Sequence, residues 1–188
     1  MDNDIPDVLM PLLPHTRHHR HRLRHLADDA TVEESVLLQR VQPALSGLMD
    51  GSLSTLAPIF AVVLATHEPV TAFFTGLATA MGAGVSMAFS EGLSDTGDLT
   101  GRGNPFVRGG ITGGGTFVGG IFHTMPFLIP AYHIAIVAAV VVVAVELLLL
   151  AALRAVFFRT SFASSFVSVT LGGAIIAALS SALGIAAG

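Results

Sequence analysis

The chain has 188 residues and a formal net charge of −4, and 52% of its residues are hydrophobic while only 12% are charged. Soluble domains carry roughly 25% charged residues, so this composition, with a mean hydropathy of +0.74, excludes an ordinary soluble domain and predicts an all-α integral membrane protein. The lack of Cys excludes disulfide bonds, thiolate metal sites and thiol catalysis.

Residues 1–34 are predicted to form a His/Arg-rich cytoplasmic tail that is largely disordered. Its centre, His15 to His25, holds five His and four Arg. Such a segment is attracted to anionic lipid, but clustered imidazoles also collect metal ions, and a cloning remnant is a third interpretation. A secretory signal peptide is not expected, because the apolar patch Val8 to Leu13 is short and precedes the basic residues.

Residues 35–188 are predicted to form one transmembrane domain. A membrane-spanning helix needs about 20 predominantly apolar residues, and five stretches of the chain meet that length. Gly and Pro dilute the first and third of them, which membrane helices tolerate where neighbouring helices cover the backbone. The predicted spans are 44–66, 70–93, 110–131, 133–153 and 163–187.

The second span carries a small residue at every fourth position, Gly76, Ala80, Gly84 and Ala88. This small-xxx-small pattern allows two membrane helices to approach closely. We therefore expect one face of this helix to pack tightly against another helix.

All nine positively charged residues are Arg, and they predict the orientation of the spans. Five precede the first span, two lie between the second and third, and two lie between the fourth and fifth. The positive-inside rule makes that side cytoplasmic. The sequence thus predicts five transmembrane helices with a cytoplasmic N-terminus and an external C-terminus, in what we expect to be a bacterial inner membrane.

A carboxylate inside a bilayer is costly and is therefore a candidate functional group. Met87 and Glu91 are four residues apart and share one helix face, which Asp95 extends toward water. A thioether and a carboxylate on one face can hold a divalent transition metal. The alternative for Glu91 is a carboxylate that reaches to the membrane interface.

Asp50 follows Met49 near the predicted cytoplasmic end of the first span. If the first two helices converge there, two carboxylates and one or two thioethers would suit Fe(II) or Mn(II). The predicted metal path therefore comprises Asp50, Met87 and Glu91, with Met49 and Asp95 as further candidates. The alternative for Asp50 is an N-terminal helix cap.

Glu146 and His123 are the remaining candidate functional residues within the predicted spans. Glu146 lies alone in the most apolar span, as either a hydrogen-bonded structural group or a proton relay. His123 precedes Pro126 and Pro130, each of which frees a backbone carbonyl. It is either a structural His or a metal ligand or proton carrier.

The sequence contains none of the common catalytic motifs: no Walker A motif, nucleophile elbow, HExxH or CxxC. Its Gly-rich stretches lie in an apolar context that predicts helix packing rather than a phosphate cradle. Neither enzymatic activity nor a nucleic-acid partner is expected, and the expected contacts are a divalent ion, protons and lipid.

Three motifs resemble the vacuolar iron transporter family. Gly47-Leu-Met-Asp-Gly-Ser52 resembles the Asp-Gly start of that family's first membrane helix. Gly84-Val-Ser-Met-Ala-Phe-Ser-Glu91 resembles its second-helix signature, and Met125-Pro-Phe-Leu-Ile-Pro130 resembles its third-helix element. The chain is most similar to the membrane domain of bacterial membrane-bound ferritins (erythrin–vacuolar iron transporter proteins), over residues 35–188.

This resemblance implies a homodimer that exports Fe(II) or Mn(II) from the cytoplasm in exchange for protons, with no permanently bound cofactor. It assigns Asp50, Met87 and Glu91 to the transport path. The family's acidic cytoplasmic domain between helices 2 and 3 has no counterpart here, since Thr96 to Arg108 contains only one acid, Asp98. The ferritin-like domain of membrane-bound ferritins also has no counterpart in this sequence. The alternative is a non-transporting membrane scaffold or metal-sensing subunit that recruits a soluble partner through its tail.

Overall fold

The computed structural model of the chain describes Val32 and residues 35–94, 96–97 and 100–188. Apart from Val32, the predicted His/Arg-rich tail lies outside the described residues, and so does Asp95. The described chain contains five long α-helices and no strand, so the predicted all-α class is confirmed for these residues. The helices are α1 (Gln42–Thr66), α2 (Pro69–Gly92), α3 (Pro105–Thr124), α4 (Tyr132–Phe157) and α5 (Phe162–Ala187).

Four of the five helices, α1, α2, α4 and α5, are long and apolar enough to cross a membrane. This is the composition expected of an integral membrane protein. Helix α3 is not among the four, and it packs against both α1 and α2 along its length. Because protein rather than lipid covers that side of α3, its buried face consists of Gly, Thr, His and Arg instead of large apolar residues.

Local sequence signals explain where the helices begin. The Asn104 side chain caps α3 by accepting hydrogen bonds from the N–H groups of Phe106 (2.9 Å) and Val107 (3.2 Å). Pro105 follows as the first helical residue, where its missing N–H costs nothing. Helix α3 therefore begins five residues before the predicted span at 110, because the Asn-Pro signal is local and does not register in hydropathy.

Glycine sets the distance between α1 and α3. A Cβ atom at Gly47 would overlap the carbonyl oxygen of Thr112, and one at Gly51 would overlap that of Thr116. The contact of α2 with α3 is as close, since a Cβ at Gly109 would lie 2.5 Å from the Ala88 carbonyl oxygen. The predicted small-residue face of α2 is thus confirmed as a helix-packing surface.

Neighbouring glycines on α3 provide a direct test of this packing. A Cβ at Gly113 would lie 2.5 Å from the carbonyl oxygen of Gly84, whereas one at Gly114 would have nothing within 4 Å. We expect Gly113→Ala to lower the free energy of unfolding by about 1–3 kcal/mol, because backbone cannot give way easily. Gly114→Ala should instead raise it by roughly 0.5–1 kcal/mol, since Ala favours the helix. Thermal unfolding in detergent measures both, and equal effects would contradict the close approach.

Helix α3 ends before it reaches the level at which its neighbours end. Its last residue, Thr124, packs against Gly76 of α2. Gly76 comes seven residues after the first residue of α2, which corresponds to about 10 Å along the helix axis. A short 3₁₀ turn, Met125–Leu128, follows and contains the buried residues Pro126 and Phe127. The predicted span 110–131 is therefore wrong at its end, because Pro126 has no N–H with which to continue the α-helix.

Two buried apolar clusters lie at different levels of α1 and α4. One contains Ile59 and Val63 of α1 with Ala135 and Ala139 of α4. The other is built on Leu147 and Leu150 of α4, with Met49 and Leu53 of α1 packed against it. Ser52 of α1 and Glu146 of α4 lie next to residues of the second cluster along their helices, so polar side chains adjoin this apolar cluster.

Candidate functional site

The residues with the strongest functional geometry are His123, Glu146 and Ser52, one from each of three helices. His123 is the penultimate residue of α3 and is only 1% exposed. Glu146 lies near the middle of α4, about 21 Å along the axis from its first residue. Ser52 of α1 is fully buried. The end of α3 thus places the imidazole of His123 next to the carboxylate of Glu146, near the middle of α4.

The three side chains are in direct contact. Nδ1 of His123 lies 3.1 Å from Oε2 of Glu146 and 3.2 Å from the carbonyl oxygen of Gly119, one turn earlier on α3. The Ser52 hydroxyl lies 2.8 Å from the carbonyl oxygen of Leu48 and also contacts Oε1 of Glu146 at very short range. These distances define a His123–Glu146–Ser52 cluster with two backbone carbonyls at its edge.

The two contacts of the Ser52 hydroxyl need one more hydrogen than this hydroxyl supplies. Ser52 has a single hydroxyl proton, but it faces two acceptors, the Leu48 carbonyl and the Glu146 carboxylate. A proton on Oε1 of Glu146 would donate to Ser52 Oγ and leave the Ser52 proton for Leu48. Without it, one of the two contacts has no hydrogen between its oxygens. Protonation of the Glu146 carboxyl would therefore supply the hydrogen that these two contacts lack.

Two atoms of the cluster are buried without a hydrogen-bond partner among the described residues. They are Nε2 of His123 and Oε2 of Glu146. The latter faces Nδ1 of His123, but not with hydrogen-bond alignment. Buried polar atoms are usually paired, so each of these two atoms has room for a further partner such as a proton, a water molecule or a cation.

His123 lies in the last turn of α3. The C-terminal end of a helix carries a partial negative charge that stabilises a cation there. The segment after His123 leaves the α-helix at a level where the neighbouring helices continue, and Phe127 within it is fully buried. Non-helical backbone at membrane depth is tolerated where protein covers it, and broken helices of this kind surround ion sites in transporters.

Glu91 occupies a different environment from the predicted one. Its Oε1 accepts hydrogen bonds from Nη2 of Arg102 at 2.7 Å and from Nε of Arg108 at 2.9 Å. Arg108 is fully buried, whereas the Arg102 side chain is 25% exposed. Glu91 thus anchors the connection between α2 and α3 through ion pairs, and a metal ion would have to compete with two guanidinium groups for it.

The loop that carries Arg102 depends on left-handed glycines. Gly97, Gly101 and Gly103 all have positive φ values, of 83°, 66° and 71°. The Gly101 carbonyl accepts a hydrogen bond from the Gln39 side chain at 3.1 Å, which ties the loop to the turn before α1. Glycine adopts this conformation without a steric penalty. The loop can therefore bend back and bring the Arg102 guanidinium into contact with the Glu91 carboxylate.

Asp50 and Met87 are both partly exposed, on α1 and α2 respectively. The cap alternative for Asp50 is wrong, because α1 begins at Gln42 and Asp50 lies in its interior. The Asp50 carboxylate has no hydrogen bond or ion pair to another described residue. No hydrogen bond or ion pair joins it to Glu91 among the described residues, so the proposed path through Asp50, Met87 and Glu91 stays a prediction. Met49 packs against the apolar cluster of Leu147 and Leu150.

The described residues contain no group of three or more His, Asp or Glu side chains that could hold a metal ion. Residue patterns alone also missed two members of the polar interior, Ser52 and Arg108. Ser52 follows Leu48 by four residues and so shares its helix face, a spacing that could have marked it as inward-facing. Arg108 lies in a Gly-rich stretch with no period that would have predicted its complete burial.

Comparison of the chain with protein-family models, with curated proteins and with solved structures gives no match.

Proposed function

We propose that the protein is a proton-coupled membrane transporter that exports Fe(II) or Mn(II) from the cytoplasm. The observation that carries the proposal is the buried His123–Glu146–Ser52 cluster at the broken end of α3. Ionisable groups at membrane depth in a helix bundle typically belong to ion pathways or proton relays. The choice of Fe(II) or Mn(II) depends on the resemblance of the three sequence motifs to vacuolar iron transporters.

In this proposal the cluster carries the proton and Asp50 meets the metal. Protonation of Glu146 would supply the hydrogen that the two contacts of Ser52 lack. Asp50 is partly exposed in the interior of α1 and lacks a hydrogen-bond or ion-pair partner among the described residues, so its carboxylate can accept a cation. A carboxylate oxygen is a ligand that Mn(II) and Fe(II) accept. Ser52 is two residues from Asp50, which gives helix α1 contact with both ions.

The proposed orientation has the N-terminus and the Arg-rich ends of the helices in the cytoplasm and the C-terminus outside, in a bacterial inner membrane. The active form is proposed to be a homodimer. Large apolar side chains of α2 that are exposed in the single chain, such as Phe74, Met81 and Phe89, would face lipid or the second copy. The protein acts as a transporter and not as an enzyme.

Reconstituted protein tests this function. Proteoliposomes with an imposed pH gradient are supplied in turn with Fe(II), Mn(II), Zn(II) and Co(II), and both metal flux and internal pH are followed with dyes. We expect Fe(II) or Mn(II) to cross only when the gradient is present, with an opposite proton flux. Metal flux that ignores the gradient would contradict the proton coupling.

The alternative is a non-transporting membrane scaffold or metal-sensing subunit. The observation that favours it is the double ion pair of Glu91, because a residue assigned to the transport path instead anchors a loop. In that case the same liposomes would show no flux of any of the four metals, although the protein remained folded. The tail would then be expected to retain a soluble partner.

A further inference from the structure

A cleft of about 390 Å³ opens beside the first two turns of α1, where the connection between α4 and α5 passes. Four of its lining residues are polar: Gln42, Ser46, Arg154 and Thr160. The other three are apolar: Leu45, Met49 and Phe158. The volume lies within the range of about 300–1,000 Å³ that small-molecule sites occupy. Neither the proton cluster nor the Glu91 ion pairs belong to it.

The charge of this cleft is positive. Among the residues that the structure describes, Arg154 is the only charged one that lines the cleft, and no carboxylate does. The Arg154 guanidinium has no hydrogen bond or ion pair to another described residue. A guanidinium group pairs most strongly with a carboxylate or phosphate, often through two parallel hydrogen bonds. The cleft thus presents a cation whose preferred partner has to come from outside the described chain.

The position and the walls of the cleft specify an amphiphilic partner. Arg154 lies in the last turn of the most apolar helix, α4, and therefore near the end of a segment long enough to cross a membrane. Leu45 and Met49 continue the apolar wall along α1 toward the middle of the bundle. A small hydrophilic anion would leave this wall without a partner, whereas an acyl chain would cover it.

We propose that this cleft binds an anionic phospholipid, with the phosphate on Arg154 and an acyl chain against Leu45 and Met49. The Gln42 amide is a further donor for the headgroup oxygens. The Thr160 hydroxyl is 2.8 Å from that of Ser165, and when Ser165 donates to Thr160, the hydroxyl hydrogen of Thr160 can be donated to the headgroup. The bound lipid fills the gap between α1 and the α4–α5 connection.

The chain offers a matched control for this site. Arg159 follows Phe158 in the same connection and carries the same charge, but it is exposed and does not line the cleft. Loss of one charge at Arg159 changes the general attraction to an anionic surface as much as loss at Arg154 does. Only the Arg154 change removes the guanidinium from the cleft.

The test uses full-length protein in a neutral detergent, titrated with phosphatidylglycerol or phosphatidylcholine and measured by native mass spectrometry. We expect preferential binding of phosphatidylglycerol, and Arg154→Gln should weaken it by about tenfold or more, as loss of a charge-assisted hydrogen bond predicts. Arg159→Gln should leave it nearly unchanged. Arg154→Lys keeps the charge, and its affinity for phosphatidylglycerol should lie between those of the wild type and Arg154→Gln. This variant replaces Arg154→Gln in the test if the Gln variant does not fold.

Two results would overturn the proposal. One is an equal affinity for the two lipids or an equal loss in the Arg154 and Arg159 variants, which would indicate attraction without a site. The other is protection of the protein against thermal unfolding by millimolar inorganic phosphate as well as by phosphatidylglycerol, which would indicate a free anion as the ligand. Since binding is measured without transport, the proposed transport function can fail while this site is confirmed.

Discussion

Replacement of Glu146 by Gln is expected to reduce proton-coupled metal flux to the level of empty liposomes. Gln has the shape of Glu and can still contact Ser52, but its amide cannot release a proton. The exchange of one ion for the other would then stop, because the cluster would be locked in a state equivalent to the protonated one. The measurement is metal flux in proteoliposomes under a pH gradient, together with the internal pH.

The control for this variant is Glu68→Gln, the same chemical change at an exposed acid in the connection between α1 and α2. It should transport like the wild type. Thermal unfolding should show that Glu146→Gln is folded, since the uncharged amide is easier to bury than a carboxylate. Full activity of a folded Glu146→Gln variant would remove the basis of the proposed mechanism.

His123 is expected to behave as the partner of Glu146. Replacement by Asn leaves a polar group but removes the second position that can hold a proton, and we expect strongly reduced coupled flux. His133→Asn is the matched control, because His133 is exposed at the start of α4. A coupled flux that survives in His123→Asn but not in Glu146→Gln would assign the proton to the carboxylate alone.

Replacement of Arg108 by Gln is expected to lower the free energy of unfolding by about 1.5–3 kcal/mol, the usual effect of losing a hydrogen bond to a charged group. Arg108 is fully buried, and its Nε donates to Glu91 at 2.9 Å. Gln is too short to replace the guanidinium, so the variant loses this hydrogen bond and leaves space where the side chain was.

Arg102→Gln is the matched control, since Arg102 contacts the same carboxylate oxygen at 2.7 Å but is partly exposed. Water screens an exposed pair, so a change of about 1 kcal/mol or less is expected. Thermal or denaturant unfolding of both variants in detergent measures the difference. Equal losses for Arg102 and Arg108 would show that burial does not determine the strength of these pairs.

The role of Glu91 in the fold also changes what a Glu91→Gln variant would mean. From the sequence alone, Glu91 was a candidate metal ligand or a carboxylate that reaches to the membrane interface, and neither interpretation gave it a role in the fold. Since its carboxylate binds two guanidinium groups, its neutralisation should also destabilise the connection between α2 and α3. Loss of transport in that variant is therefore informative only if its unfolding is measured as well.

The sequence by itself determined the all-α class, the approximate positions of five helices and the small-residue face of α2. These features are local, because hydrophobic runs and fourfold spacing lie within one stretch of chain. The hydropathy of the sequence predicted α3 less well than the other helices. The buried face of α3 consists of Gly, Thr, His and Arg because it contacts α1 and α2 and not lipid. The end of α3 at Thr124 was also missed, although Pro126 was visible, because a proline can kink a membrane helix as well as end it.

Only the tertiary structure decided which partner each ionisable group has. The sequence marked Glu91, His123 and Glu146 because charge and hydrogen-bonding capacity are costly within apolar segments. It could not pair Glu146 with Ser52, which lies 94 residues away, or Glu91 with Arg108, which lies 17 residues away. Those pairs depend on the rotation and axial offset of each helix, and these are fixed by close contacts such as that of Gly51 with Thr116. A shift of a single residue would turn each side chain by about 100°, so the site exists only once the helices have packed.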